Sequence, residues 1–472
     1  MSWAVRVVRN RYVDSVRLMK VAKELRAHGR AEVAMGTPAN LETLAALGVT
    51  CDAGPTDVVI AVEGPESALD AAEREFAAPA TAADNGAVAA PPRSLGLARR
   101  GLADANVALI SVPGEYAAFE AHRALTEGLH VFLFSDHVSE ADEVALKRRG
   151  VELGLLVMGP GCGTAMLGEV GLGFANVVRA GSVGIVAAAG TGAQETASLL
   201  DGAEIGVSQI VGVGGRDLSS EVGGLMFGEA MRLLAADDGT DTLLLVSKPP
   251  AREVVQKLGE VDVRGKRVVA AFVGWEGGDA PFEIHPTLAA GAFAAAGVAA
   301  PDVGALEAEI DARRTGGRLL GLYSGGSLAH EAVTILEPLL GAIGGNAGHG
   351  DDDEGHAIFD LGEEEYTQGR PHPMVDLEVR IGFLERAAAS DGLGCVLLDV
   401  VIGHGSHADP AGGLAQALRA LAGRVPVIAH VCGTDGDPQD ASRQARTLRE
   451  AGVIVAPTNA AAARLAGRAL AA

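Results

Sequence analysis

Short apolar runs alternate with amphipathic stretches along most of the chain, which is the pattern of an α/β protein. Runs at residues 107–112, 183–189 and 395–402 are short enough to be buried parallel strands, and strong helix formers separate such runs. Strands separated by single helices predict parallel, doubly wound sheets. In sheets of that kind, ligands bind beyond the carboxyl ends of the strands.

The alternation is interrupted at points that divide the chain into domains. Residues 1–78 contain three strand–helix units and predict a small N-terminal α/β domain. Residues 79–103 are rich in alanine and proline without a period, which is typical of a linker. We expect a Rossmann-like region at 104–165, followed by two flavodoxin-like parallel-sheet domains at 166–300 and 317–472.

Two glycine turns carry the strongest functional signal. The run 183–189 ends in Gly190, Thr191, Gly192 and Ala193, and helix formers follow at once. A strand, a glycine turn and a helix start direct free N–H groups and the positive end of a helix dipole at one spot, so we predict a bound phosphate or carboxylate. The second turn follows the run 395–402 and contains Gly403, Gly405 and Ser406. The two helix starts could share one anion, and ordinary βα turns without a ligand are the alternative.

Other strand ends supply further candidates. Lys248 ends a strand in a chain that has only six lysines, and it is a candidate cation for a phosphate or carboxylate, with a solvated lysine as the alternative. Small residues after the strand at 155–158 would let a ligand approach the backbone, and these are Gly159, Pro160, Gly161 and Cys162. Two further turns supply candidate substrate contacts, which are Gly214, Gly215, Ser324 and Gly325.

Composition limits the class of partner. The net charge of −23 and an aromatic content of 4% argue against nucleic acid and anionic membranes. No apolar run is long enough to span a bilayer, and the N-terminus has no signal-peptide pattern. The four cysteines lack C-x-x-C spacing, which excludes the usual zinc or disulfide framework, so no metal site is expected. We predict a cytoplasmic protein that acts on small molecules.

The turns resemble those of the succinyl-CoA synthetase superfamily, and most closely those of FdrA-type acyl-CoA synthetase proteins. Residues 181–195 are similar to the α-subunit segment whose helix start holds the phosphate, and residues 155–163 look like the end of its CoA-binding domain. Residues 319–460 look like the carboxyl-terminal domain of the β subunit. Gly-Thr-Pro-Ala-Asn at 36–40 and Gly-Arg-Pro-His-Pro-Met-Val-Asp at 369–376 indicate the FdrA type.

Several family features have no counterpart in this chain. No segment is left for an ATP-grasp domain, so no nucleotide site is expected. The first βα turn of the CoA-binding domain is also missing. His285 does not match the Gly-His-Ala-Gly context of the family's phosphohistidine, and Lys248 stands where the family has the acidic residue that steadies it. A phosphohistidine cycle is therefore disfavoured.

The resemblance implies three hypotheses for function. The first is a component of oxamate carbamoyltransferase that uses an acyl phosphate such as carbamoyl phosphate, with Lys248 and Arg216 stabilising charge and His404 or His407 as acid–base groups. The second is an acid–CoA ligase subunit that binds CoA, with a separate ATP-grasp chain and His285 or His404 as phosphoryl carrier. The third is a non-catalytic scaffold. Either a homo-oligomer or a hetero-complex with catabolic partner subunits is expected from the family.

Overall fold

The protein forms two compact units in the computed structural model, which describes residues 3–11, 13, 15–77, 92, 94–350, 355–367 and 370–471. The first unit comprises Met1–Pro91 and Gly369–Pro371, and the second comprises Pro92–Gln368 and His372–Ala472. In the part of the chain that the structure describes, every helix is too short or too polar to cross a membrane. The predicted linker at 79–103 lies mostly outside the described residues.

The first unit contains the three predicted strand–helix pairs. Its strands are β1 (Ala4–Val8), β2 (Ala31–Met35) and β3 (Val58–Val62), and its helices are α1 (Ser15–Arg26), α2 (Pro38–Ala46) and α3 (Ser67–Ala77). The strand order is β1-β3-β2, and β3 runs antiparallel to both neighbours. All five residues of β3 are buried, as expected for an apolar central strand covered on both faces.

The second unit begins with a short helix and a small parallel sheet. Helix α4 (Leu95–Gly101) precedes β4 (Val107–Ile110), β5 (His130–Leu133) and β6 (Val157–Met158), which lie in that order. The crossover helices are α5 (Gly114–Thr126) and α6 (Glu140–Leu153). This sheet has the parallel pairing expected of the predicted Rossmann-like region.

A seven-stranded sheet follows. Its parallel strands are β9 (Ala180–Ala187), β10 (Val207–Gly212), β11 (Thr242–Ser247), β12 (Arg267–Phe272) and β13 (Glu283–His285). A hairpin of β7 (Thr164–Leu167) and β8 (Val170–Gly173) extends the sheet, with β7 antiparallel to β10. The helices are α7 (Gly190–Gly202), α8 (Leu225–Ala236), α9 (Arg252–Leu258) and α10 (Leu288–Ala296), and α11 (Gly304–Asp311) leads to the next sheet.

The last sheet has five parallel strands. They are β14 (Arg318–Tyr323), β15 (Ala357–Asp360), β16 (Leu393–Val401), β17 (Val427–Cys432) and β18 (Ile454–Ala456). The accompanying helices are α12 (Gly326–Leu340), α13 (Glu364–Thr367), α14 (Glu378–Ala388), α15 (Pro410–Ala422), α16 (Ala441–Glu450) and α17 (Asn459–Leu470). The order β15-β14-β16-β17-β18 matches β10-β9-β11-β12-β13, and both are the flavodoxin order 2-1-3-4-5. The predicted fold class is confirmed.

One hydrophobic core joins the two flavodoxin-like sheets. Four helices, α7, α10, α12 and α17, contribute to it from between the sheets, together with residues of β9, β11, β14 and β16. Leu336 on α12 and Leu465 on α17 are almost completely buried there. Fully burying one such side chain stabilises the fold by about 1.5–3 kcal/mol. The carboxyl ends of β9 and β14 therefore belong to one compact unit with a shared core.

Cysteine reactivity tests this packing. Cys162, Cys395 and Cys432 are buried, whereas Cys51 is half-buried. Burial raises the pKa of Cys162 and of Cys395 to about 12, because an apolar environment disfavours the thiolate. We expect a thiol reagent at mildly alkaline pH to modify only Cys51 rapidly in the native protein and all four thiols in denaturant. Rapid modification of two or more native thiols would contradict the burial described.

Candidate active site between two helix starts

A cavity of about 650 Å³ opens at the carboxyl ends of β9 and β14. Residues from the small parallel sheet, the seven-stranded sheet and the five-stranded sheet all line it. This is the position at which open parallel sheets bind ligands, because the loops that follow the strands converge there. Two of its walls are helix starts, and a third is aromatic.

The first wall is the start of α7. Gly190 and Thr191 line the cavity, while Gly192 and Ala193 face the core. The N-cap residue of α7 is Ala189, which makes no side-chain hydrogen bond to the helix. The first amides of α7 therefore lack a local capping partner and remain suited to an anion, as the sequence predicts.

The second wall is the start of α12. Its N-cap is Gly325, which also provides no side-chain hydrogen bond, and Gly326 and Ser327 line the cavity. The backbone N–H of Ser327 donates to Oγ1 of Thr191 at 3.4 Å, so the two uncapped helix starts meet. A Cβ atom built on Gly325 would lie 2.9 Å from Cβ of Thr191, which explains the glycine at this contact.

A buried ion pair fixes the turn that leads into α12. The N–H groups of Ser324 and Gly325 each donate to the carboxylate of Asp399 at 2.9 Å. Nη2 of Arg380, which is also buried, donates to the same carboxylate at 2.8 Å. Ser324 and Gly325, which were predicted as substrate contacts, therefore direct these N–H groups at Asp399. Of the next two amides, that of Ser327 donates to Thr191 Oγ1, and that of Gly326 has no side-chain acceptor on the N-cap residue.

Lys248 and Asp360 stand beside the second helix start. Lys248 follows β11 and lines the cavity, and no carboxylate of the described residues lies within ion-pair distance of its ammonium. Asp360 ends β15 and is buried, and burial raises its pKa to about 6. A Cβ atom on Gly326 would lie 2.5 Å from Oδ2 of Asp360 and 3.7 Å from Nζ of Lys248. The glycine therefore leaves room for both groups.

The third wall is aromatic. The rings of Phe134 and Phe174 lie 6.1 Å apart, and those of Phe174 and His372 lie 5.9 Å apart. Nδ1 of His372 accepts from the N–H of Met374 at 3.2 Å, so the proton of the neutral ring is on Nε2. Burial lowers the pKa of His372 to about 4, so the ring is neutral near pH 7. His372 lies in the Gly-Arg-Pro-His-Pro-Met motif, which indicated the family but not this role.

The mouth of the cavity is largely acidic. Asp136 and His137 follow β5, and Glu363 and Glu364 lie at α13. Nε2 of His137 is 3.9 Å from Oε1 of Glu364, an exposed pair that contributes little to stability. An anion that enters is therefore attracted by the interior rather than by the rim.

The turn after β16 lies behind this wall. Gly403, Gly405, Ser406 and His404 do not line the cavity. The N–H of exposed His404 donates to the carbonyl of Ala175 at 2.8 Å, and Gly405 packs against Phe174. Side chains already satisfy the start of α15, because Oδ1 of Asp409 accepts from Gly412 N at 3.4 Å and Oε1 of Gln444 accepts from Ala411 N at 2.9 Å. The structure thus places α12, not α15, opposite α7.

Arg216 is engaged elsewhere. Its Nε donates to Oε2 of Glu143 at 2.8 Å, and its Nη2 donates to the carbonyl of Val138. Glu143 also pairs with buried Lys147, which contacts Asp217 at 2.7 Å. Arg216 therefore belongs to a structural ion network and does not line the cavity.

The small-residue turns after β6 and β10 both contribute to the wall. Gly161 and Gly163 from the first turn and Gly215 from the second line the cavity. A Cβ atom on Gly214 would lie 2.6 Å from the carbonyl oxygen of Pro160, so the segment Gly159-Pro160 supports the wall from behind. Cys162 is buried, and its Sγ donates to the carbonyl of Gly212 at 3.4 Å. The predicted loop thus presents backbone atoms to the cavity, whereas the thiol of Cys162 is buried.

Comparisons with known proteins found two matching family models and several similar proteins. A family model described as CoA-ligase matches residues 322–469, and one described as AllF, heavy metal-associated domain, matches residues 1–91. Subunit alpha 2 of the ADP-forming succinate–CoA ligase of Archaeoglobus fulgidus is 31% identical over 175 residues, which cover 36% of this chain and 55% of that subunit. The crystal structure of PH0766 from Pyrococcus horikoshii aligns with a TM-score of 0.29 and 15% identity, covering 77% of this chain and 83% of that one.

These matches indicate an acid–CoA ligase-like protein that is similar in part to succinate–CoA ligase α subunits. YahF of Escherichia coli K12 is 35% identical over 503 residues, which cover 97% of each chain. The chain belongs to the YahF-like, FdrA-type family, which confirms the family predicted from the glycine turns.

The family model of the N-terminal domain is described as heavy metal-associated, but the residues of this domain do not fit a heavy-metal site. That domain has a single cysteine, Cys51, and burial raises the pKa of its thiol. Within the described ranges, no three histidine, cysteine or acidic side chains group as metal ligands. Soft metal ions prefer several thiolates, so this donor set does not fit one.

Replacement of Lys248 tests the cation beside the helix starts. We expect Lys248→Ala to weaken phosphate binding about tenfold or more, because a charge-assisted contact contributes about 1.5–3 kcal/mol. Isothermal titration calorimetry with inorganic phosphate measures the effect. Lys257→Ala is the matched control, because it removes the same charge from α9, outside the cavity. Equal affinity in both variants would remove Lys248 from the site.

Filling the space at Gly326 tests the second helix start. Gly326→Ala places a methyl group against Asp360 and near Lys248, so we expect at least a tenfold loss of phosphate affinity with an unchanged fold. Gly423→Ala is the control, because a Cβ atom there meets nothing within 4 Å and the backbone is right-handed. Unchanged binding in Gly326→Ala would mean that the anion does not use α12.

Proposed function

We propose that this protein transfers the acyl group of an acyl phosphate to a small acceptor, as the carbamoyl-transferring component of an oxamate carbamoyltransferase. The observation that carries the proposal is the meeting of two uncapped helix starts, α7 and α12, beside Lys248. Both helix dipoles and the ammonium favour a dianion at that point. A phosphate group is the dianion that the transfer would release.

The proposed transfer needs no side chain that carries the phosphoryl group covalently. His285 lies on β13 and bonds to Glu283 at 2.8 Å, and His404 lies behind Phe174, so neither histidine lines the cavity. An acyl phosphate is already activated, and positioning it against an acceptor accounts for much of the rate that such a site supplies. This supports direct transfer over a phosphohistidine cycle.

The acyl end has groups suited to an amide-like substrate. The Nε2–H of neutral His372 can donate to the acyl oxygen, where negative charge develops as the acceptor attacks. The nitrogen of oxamate would attack the carbonyl carbon of carbamoyl phosphate, and the bond from that carbon to the phosphate oxygen would break. Asp360, with a pKa of about 6, would accept the proton lost by the nitrogen. Oxalurate and inorganic phosphate would leave.

The aromatic wall and the N-terminal domain also support this assignment. Phe174 and His372 line the cavity with their rings tilted by 39° to each other, and an aromatic wall of this kind suits a planar, conjugated acyl group. The AllF-type domain at residues 1–91 favours a place in allantoin-type nitrogen catabolism. We place the reaction in the cytoplasm and expect catabolic partner subunits or further copies of the chain around it.

A CoA ligase subunit is the second candidate. The CoA-ligase family model and the likeness to succinate–CoA ligase α subunits favour it. The cavity also reaches Gly161 and Asp136 in the Rossmann-like region, the part that resembles a CoA-binding domain. Against it stand Lys248 in the family's acidic position and the missing first βα turn. Binding of CoA as against carbamoyl phosphate separates the two functions.

The test combines binding with turnover. We expect carbamoyl phosphate and phosphate to raise the melting temperature, because a ligand at about 100 times its dissociation constant stabilises by about 2.7 kcal/mol. We also expect carbamoyl phosphate and oxamate together to release phosphate, and Lys248→Ala to abolish that release. Stabilisation by CoA, together with thioester formation in the presence of an ATP-grasp partner, would instead establish the ligase. No response to any ligand would indicate a scaffold.

A further inference from the structure

The two helices that face the cavity each carry a buried glutamate five residues after their first glycine. Glu195 follows Gly190 on α7, and Glu331 follows Gly326 on α12. Both glutamates are completely buried and neither lines the cavity. Burying a charge without partners is costly, so the contacts of these carboxylates report what holds the helices.

The contacts are reciprocal between the two flavodoxin-like domains. Oε1 of Glu331, in the second domain, accepts from the N–H of Leu288, the first residue of α10 in the first domain, at 2.6 Å. Oε1 of Glu195, in the first domain, accepts from the N–H of Asn459, the first residue of α17 in the second domain, at 3.3 Å. Each glutamate thus occupies the N-terminus of the last helix of the other domain.

Threonine caps complete the same arrangement on both sides. Thr287 Oγ1 accepts from Ala290 N at 3.2 Å, and Thr458 Oγ1 accepts from Ala461 N at 3.0 Å. Each threonine leaves the first helical N–H free, and the glutamate of the other domain takes it. The two halves of the network therefore correspond position by position, Thr287 to Thr458 and Leu288 to Asn459.

Two side chains join the halves. Nδ2 of Asn459 donates to Oε2 of Glu331 at 2.8 Å, so a residue whose backbone N–H serves Glu195 also holds Glu331. His430 lies 2.7 Å from Oε2 of Glu195 through Nε2, and its Nδ1 lies 3.2 Å from the carbonyl of Ala456. Both ring nitrogens face acceptors, so His430 is an imidazolium that balances Glu195.

From this network we infer that Glu195 and Glu331 are positioning residues that set the separation of the two anion-binding helix starts. Each carboxylate fixes its helix about 7.5 Å along the axis from the first glycine, at 1.5 Å per residue. A helix held that close to its start cannot slide or rotate independently of the other domain. Because a helix dipole acts only within its first turn, a small shift weakens anion binding.

This inference rests on the proposed anion site and is tested on the full chain with inorganic phosphate. We expect Glu195→Gln and Glu331→Gln each to raise the dissociation constant for phosphate about tenfold, measured by calorimetry. Glutamine preserves the volume and one acceptor, but it weakens the contact with a helix N-terminus. Glu143→Gln is the matched control, because Glu143 is equally buried and paired but lies in the Lys147 network, away from α7 and α12.

A double-mutant cycle separates positioning from general destabilisation. Asn459→Ala removes the donor to Glu331 and keeps both carboxylates, so we expect a smaller loss of affinity that is not additive with Glu331→Gln. If a glutamate variant fails to fold, Asn459→Ala alone carries the test. Phosphate affinity that is unchanged in the folded variants, or reduced equally in Glu143→Gln, would overturn the inference. Failure of the unmodified chain to bind phosphate would overturn the proposed site as well.

Discussion

The cavity depends on one constraint, which is that two helix starts whose own N-cap residues provide no side-chain hydrogen bond meet at one point. Unsatisfied amides at a helix end are unfavourable unless water, a side chain or a ligand takes them. The shared core between the two flavodoxin-like sheets holds α7 and α12 together, and the Asp399–Arg380 pair fixes the turn before α12. Backbone N–H groups that their own N-cap residues do not bind therefore lie at the point at which the chain would bind a dianion.

Much of the fold was readable from the sequence because its signals are local. Apolar runs bounded by glycine predict buried parallel strands, and their alternation with single helices predicts parallel, doubly wound sheets. The turn at Gly190 was equally local, and Lys248 could be singled out because it ends a strand in a chain with only six lysines. The antiparallel pairing of β3 in the N-terminal unit could not be predicted from the sequence, because three strand–helix pairs fit more than one sheet order.

The second helix start at the cavity, opposite α7, was harder to predict. The turns before α12 and α15 both follow buried strands, and both contain glycine. What separates them is capping. Asp409 followed by Pro410 is a readable sign of a capped helix start, whereas the contribution of Gln444 comes from 33 residues away. Arg216 looked available because its partner Glu143 lies 73 residues earlier. Long-range pairing of this kind leaves no trace in a local pattern.

Both helix starts belong to a single polypeptide, and this has a kinetic consequence. When two halves of a site lie on separate chains, the assembled fraction falls on dilution. When one chain carries both, the second half is present at an effective concentration set by the connection between them, and assembly is unimolecular. Here α11 and its flanking residues connect the sheets over a short distance in sequence. The anion site would therefore remain assembled at any cellular abundance of the protein, even while contacts with other subunits form and break.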